Sequence, residues 1–204
     1  MIKLTFLSFL FSLLAVSGLQ AAAAEAKRLN GVIDAAIEVV YGECCAELSL
    51  EEKQARVRKA LEGEYDLNVL IRRAIGRNWG LMRAEEQEQV LELIKQLLVK
   101  AYVKGMEGKE RPEVLLGDVI VVTDKRIEIP SRIKIDGKNI NVLYRLGKMS
   151  SGWQIYDIVA EDISVVSNYR QQIDDHFRKG DGQGLIDKLE ELLSKEDINE
   201  EIQI

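Results

Sequence analysis

Asp136-Gly137 stands between two runs of alternating polarity, Arg126 to Lys134 and Lys138 to Leu146, and no other feature constrains this chain as tightly. An Asp-Gly pair in that setting predicts a two-residue hairpin turn, because both central positions of such a turn need positive φ. The register then follows by counting outward. Ile135 opposes Lys138 next to the turn, and Ile133 then opposes Ile140, Ile129 opposes Tyr144 and Ile127 opposes Leu146, three apolar pairs on one face. On the other face Glu128 meets Arg145, a cross-strand ion pair. A sheet with one buried face is therefore expected in the middle of the chain.

The stretch after the hairpin changes period part way along. Trp153 to Ala160 is rich in aromatic and β-branched residues and predicts a strand. Beyond Glu161-Asp162 the apolar residues fall at Val165, Val166, Tyr169 and Ile173, which is helical spacing. Strand passes directly into helix, with Ser164 as the N-cap. The turn from Lys148 to Gly152 leaves the face of Trp153 and Tyr156 relative to Tyr144 open by one residue. Glu113 to Thr123, apolar almost throughout, reads as a buried strand, so the sheet is an antiparallel meander of about four strands.

Helices come first. Leu29, Val32, Ile33, Ala36, Ile37 and Val40 mark an amphipathic helix from about Glu25 to Tyr41, ended by Gly42. Ser49-Leu50-Glu51-Glu52 has capping-box spacing and opens a second helix, to about Leu61. Asp66 caps a third, with Leu67, Leu70, Ile71, Ala74 and Ile75 on one face and Gly76 as its stop. The fourth, about Ala84 to Lys104, is apolar over more than half its circumference, which implies contact with more than one element or with a ligand. After the sheet come a helix from Ser164 to Lys179 and a last one carrying Leu185, Ile186, Leu189, Leu192 and Leu193. Helices first and an antiparallel sheet afterwards describe an α+β domain.

The amino terminus follows a different logic. Lys3 precedes an uncharged run from Leu4 to Leu19, and small residues at A-x-A spacing follow at Ala21 to Ala24. That pattern predicts a secretory signal peptide over residues 1–24, cleaved after Ala23 or Ala24. The competing reading, an uncleaved anchor, is weakened by a run short for a bilayer span. Residues 25–194 then form a single domain, and 195–204 an acidic tail. Removing 1–24 takes away Lys3 as the only charged residue, so the net charge goes from −6 to −7. Such a balance argues against nucleic-acid binding, which needs a basic face.

Reactive chemistry is sparse. His176 is the single histidine and sits among Asp174, Asp175 and Arg178, a poor setting for a triad. Cys44 and Cys45 are the only cysteines, and adjacent thiols without further ligands do not make a metal site. Three states stay open for them: a vicinal disulfide, an intermolecular bond, or free thiols. Asp157 inside the apolar strand is the one candidate base, against the reading of a structural, hydrogen-bonded Asp or a partner for an Arg. Gly180-Asp181-Gly182-Gln183-Gly184 lies between helices and lacks the strand of a dinucleotide fingerprint. No cofactor and no metal are expected.

Three pieces of the chain resemble the MlaC family, also called the toluene-tolerance auxiliary family. They are Tyr65-Asp66-Leu67 through Ala74-Ile75-Gly76-Arg77-Asn78-Trp79; Glu85-Glu86-Gln87 followed by Leu97-Leu98-Val99-Lys100-Ala101-Tyr102; and Val142-Leu143-Tyr144-Arg145-Leu146 with Gly152-Trp153-Gln154-Ile155-Tyr156-Asp157 and Ser164 to Arg170. The departures are Glu161-Asp162-Ile163, where a Gly is expected before the Ser, an atypical Trp79-Gly80-Leu81-Met82, and Cys44-Cys45, which has no counterpart.

The resemblance implies an NTF2-like curved sheet with covering helices and an apolar pocket for acyl chains. It implies a monomeric, non-enzymatic periplasmic phospholipid carrier that serves an inner-membrane ABC transporter complex and an outer-membrane lipoprotein complex. The competing expectations are an NTF2-like exported enzyme using Asp157 with Tyr144 or Tyr156, and an exported interaction module without ligand. The pocket residues nominated are Leu70, Ile71, Ile75 and Trp79; Leu91, Ile94, Leu98 and Tyr102; and Ile129, Val142, Tyr144, Ile155, Val159, Val165 and Tyr169. Arg170 matches the family's closing Arg, with an ion pair to an acid on a neighbouring helix as its plain role.

Overall fold

In the computed structural model the backbone is described from residue 6 to residue 195 and the side chains from residue 22. The apolar run expected to be a signal peptide and most of the acidic tail lie outside the described side chains. Helix α1 spans Phe6–Tyr41, α2 Leu50–Glu62, α3 Leu67–Ile75 and α4 Ala84–Met106. The strands are β1 (Glu113–Leu116), β2 (Ile120–Thr123), β3 (Arg126–Ile135), β4 (Lys138–Met149), β5 (Gly152–Ala160) and β6 (Ile163–Ser164). Helices α5 (Val165–Phe177) and α6 (Gly182–Ser194) follow the sheet.

Local chemistry sets the helix ends where the sequence places them. The Ser49 side chain accepts from Glu52 N–H while the Glu52 carboxylate accepts from Ser49 N–H, a complete capping box on α2. Asp66 caps α3, Ser164 caps α5 and Asp181 caps α6. Gly76 ends α3 at φ +60°, the left-handed region open to glycine. Helix α1 differs from expectation at its start: it runs on through Ala21 to Ala24, four strong helix formers with nothing to break them.

The hairpin register is the expected one, from Arg126↔Gly147 to Ile135↔Lys138. Asp136 and Gly137 both take positive φ, and Arg145 Nε lies 3.0 Å from Glu128 Oε1. The sheet has order β1-β3-β4-β5-β6, with β2 also paired to β3. It has six strands rather than about four, for two reasons. Glu113 to Thr123 is two short strands, because Gly117 N–H bonds the carbonyl of Pro130 and the chain leaves the ladder at 117–119. Both segments flank β3 at the open edge. Ile120, Val121 and Val122 are each about half exposed, so this region is not the buried strand its composition suggested.

The second addition is β6. Strand does not pass directly into helix; Glu161 (φ 45°) and Asp162 (φ 64°) form a tight turn that folds Ile163 and Ser164 back on Ala160 and Val159.

Among the described residues four apolar clusters make the core. The largest joins α3, α4, α5 and α6 through Ile71, Ile75, Val90, Leu93, Leu97, Ile173, Leu185 and Leu189. A second lies between α1 and the sheet, around Leu29, Val32, Tyr65, Ile127, Ile129 and Leu146. A third joins α1, α2 and α4 through Ala36, Val57, Val99 and Val103. The wide apolar face of α4 is thus shared among α2, α3 and α6. Among the described residues no helix is long and apolar enough to cross a membrane.

Candidate functional site

Where α3 and α5 meet α4 and α6, their apolar faces enclose a cavity of about 30 Å³. Leu70, Ile71 and Ala74 come from α3, Ile94, Leu97 and Leu98 from α4, Val165, Val166, Tyr169 and Ile173 from α5, and Leu189 from α6. The lining is hydrocarbon save for the phenol of Tyr169. Such a seam favours apolar matter.

Six nominated residues meet here: Leu70, Ile71, Ile94, Leu98, Val165 and Tyr169. Ile75 and Leu91 are buried in the same helical cluster without lining the cavity. Trp79 packs on its rim, its ring 4.5 Å from the Arg72 guanidinium carbon. Tyr102 belongs to the α1–α2–α4 cluster, and burial raises its pKa, with Tyr41 and Tyr144 close enough to add to the shift. Ile129 and Tyr144 face α1 across the sheet, and burial raises the pKa of Tyr144 as well. Val142 is buried on that face of β4, and Ile155 links it to α3 and α5.

Val159 is the exception, and β5 explains it. Leu146 pairs with Ile155 but Arg145 pairs with Asp157, so Tyr156 is an extra residue in the ladder. A one-residue bulge inverts the alternation beyond it. Ile158, opposite Tyr144, joins Ile155 on the inner face, and Val159, opposite Leu143, turns to the other. Trp153 shares the inner face, while Tyr156 lies against Gly147 and under Arg73. Ala74, Leu97, Val166, Ile173 and Leu189 were missed as lining residues. Their helical period marked them as apolar, but which of them face a gap depends on how four helices cross.

Asp157 is occupied by structural work. Its carboxylate accepts from Arg145 (3.2 Å), from Ser164 Oγ (2.9 Å) and from the Val166 N–H at the start of α5 (3.3 Å). Ser164 Oγ in turn accepts from Ser167 N–H at 3.0 Å. A carboxylate so engaged ties β5 to α5. Among the described residues Arg170 makes no ion pair with an acid; its guanidinium bonds the carbonyl of Arg73 at the end of α3. His176 bonds the carbonyl of Asp181 in the loop to α6. Among the described residues no group of three or more His, Cys, Asp or Glu is placed to hold a metal ion.

A family model described as MlaC protein matches residues 32–191. A solved structure, that of a phospholipid-binding protein from Ralstonia solanacearum in complex with a phospholipid, superposes with a TM-score of 0.72. It is 22% identical, and the match covers 83% of this chain and 98% of that one. That likeness establishes the fold. No curated protein sequence matches.

Proposed function

The chain belongs to the MlaC family, and from that premise we propose that it is an exported phospholipid carrier, moving lipid between outer- and inner-membrane complexes of an ABC transport system. The single observation that supports this reading is the hydrocarbon-lined seam between α3–α5 and α4–α6. The phospholipid bound to the Ralstonia protein of the same fold supports the same ligand class.

The energetics require such a seam. At about 0.8 kcal/mol per methylene, an acyl chain of about sixteen carbons exposed to water costs on the order of 13 kcal/mol. That cost blocks passage of free lipid across an aqueous gap, and a protein that shields the tail removes most of it. A headgroup left in solvent needs no basic cluster. The cavity of about 30 Å³ has room for about one water-sized body. A tail therefore enters by parting the helices, with α3 and α5 moving from α4 and α6. The walls suit that motion because the contacts across the seam are apolar and undirected, so they slip without stranding hydrogen bonds.

The test is native mass spectrometry of the chain purified without detergent, followed by organic extraction. Stoichiometric phospholipid is the expected result. A lipid-free mass that persists after incubation with phospholipid vesicles overturns the reading.

A further inference from the structure

Cys44 and Cys45 sit in a single 3-10 turn, Glu43–Cys45, at the corner between α1 and α2. Side chains of neighbouring residues in such a turn normally diverge, yet these two sulfurs are 3.0 Å apart. Their surroundings differ sharply. Cys44 is exposed and Cys45 is buried at 3% of its accessible surface. The guanidinium of Arg56, from α2, donates to the Cys45 sulfur at 3.5 Å. Both cysteines are free thiols.

We propose that this corner is a redox-active vicinal dithiol in which Cys44 receives an external disulfide and Cys45 resolves it. The oxidant is a small-molecule or protein disulfide, RSSR. The Cys44 sulfur, as thiolate, attacks one sulfur of RSSR. A bond forms between Cys44 and that RS group, the S–S bond of RSSR breaks, and the first RS⁻ leaves and takes up the proton lost by Cys44. The Cys45 sulfur then attacks the Cys44 sulfur, the mixed disulfide breaks, and the second RS⁻ leaves with the proton of Cys45. Two protein thiols are oxidised to one disulfide, and RSSR is reduced to two RSH.

Access and burial assign the roles. Only Cys44 can meet a bulky disulfide, and only Cys45 is held within reach of the adduct. Contact with Cys45 holds the Cys44 thiol above its ordinary pKa, with Glu38 of α1 adding to that shift and Arg56 of α2 opposing it. Exchange is therefore slower than at a thiol of ordinary pKa, and the pair settles toward equilibrium with the thiol pool. Once closed, the ring joins neighbouring residues and stiffens the corner that sets α2 against α1.

The experiment equilibrates the purified chain with glutathione buffers of graded redox ratio, quenches with an alkylating agent, and reads intact and peptide masses. The wild type is expected to lose two hydrogens, to resist alkylation at both cysteines and to carry no lasting glutathione adduct. Cys45→Ser is expected to accumulate the adduct on Cys44, and Cys44→Ser to stay unmodified while folded. A persistent adduct or an intermolecular dimer in the wild type, or both thiols remaining reduced at the most oxidising ratio, overturns the proposal. Circular dichroism shows whether the buried Cys45→Ser replacement is tolerated, and the wild-type masses decide the matter without it.

Discussion

Arg170, on α5, donates from Nε at 3.0 Å and from a second guanidinium nitrogen to the carbonyl of Arg73, in the last turn of α3. Carbonyls of a last turn have no partner within their own helix, so a residue 97 positions away completes this one. Gly76 makes the approach possible: its φ is +60°, and a Cβ there meets Arg170 Nε at 3.2 Å. Gly76→Ala is expected to cost about 1–2 kcal/mol through backbone strain and crowding. Arg170→Met, which removes a charged donor, is expected to cost about 1.5–3 kcal/mol. Denaturant midpoints of the two variants and of their double mutant check this, with a combined loss smaller than the sum because the sites touch.

Asp157→Asn keeps the shape of the side chain and removes the charge that Arg145 faces. A loss of about 1.5–3 kcal/mol in unfolding free energy is expected, with retained lipid per folded molecule unchanged. Stability at the wild-type level together with loss of a turnover reaction is the opposite outcome, the one a catalytic base produces.

Ala74 presents only a methyl group to the cavity, so Ala74→Leu extends an isobutyl group into the seam. Overpacking is expected to cost about 1–3 kcal/mol while the fold is kept. Lipid retained through purification is expected to fall several-fold. Ile127→Val, in the cluster between α1 and the sheet, is the control: about 0.5–1.5 kcal/mol of stability and no change in lipid.

The turn between β5 and β6 holds Asp162 at φ 64°, where a side chain is strained and a glycine is not. Asp162→Gly is expected to raise stability by up to about 1 kcal/mol, the relief of strain being partly offset by the greater freedom of glycine in the unfolded chain. Thermal unfolding measures it.

Arg58 holds the carboxyl of Glu92 well below its ordinary 4.5, at about 2, through contacts of 2.5 and 2.7 Å. A carboxylate whose folded value is depressed contributes stability above the unfolded value and loses it as pH falls through the folded one. The window here runs from about pH 4.5 down to about pH 2. Glu92 is 44% exposed, so solvent screening limits the contribution to about 1 kcal/mol. Glu92→Gln is expected to show that deficit at pH 7 and to merge with the wild type near pH 2, in acid titrations of the denaturation midpoint.

What could be read from residues alone was whatever has a local cause. The hairpin follows from Asp136-Gly137, and the caps of α2, α3 and α5 from Ser49, Asp66 and Ser164, because each depends on a few adjacent groups. The helical wall of the seam was legible at Leu70, Ile71, Ile94 and Leu98 through the 3.6-residue period. Errors arose where composition hid a long-range choice. Ile120, Val121 and Val122 are apolar enough for a core, but their strand is an outer flank of β3 that leaves each of them about half exposed. Val159 has the same period as Ile155, and nothing around Tyr156 announces the extra residue that separates their faces.

The shared face of α4 also governs when the molecule can finish folding. Its partner α2 comes earlier in the chain, but Val90, Leu93 and Leu97 wait for Leu185, Ile186 and Leu189 on the last helix. During synthesis from the amino terminus the largest cluster stays open until α6 has been made. Such late closure leaves a sticky surface open to chaperones while the rest of the chain is still being made.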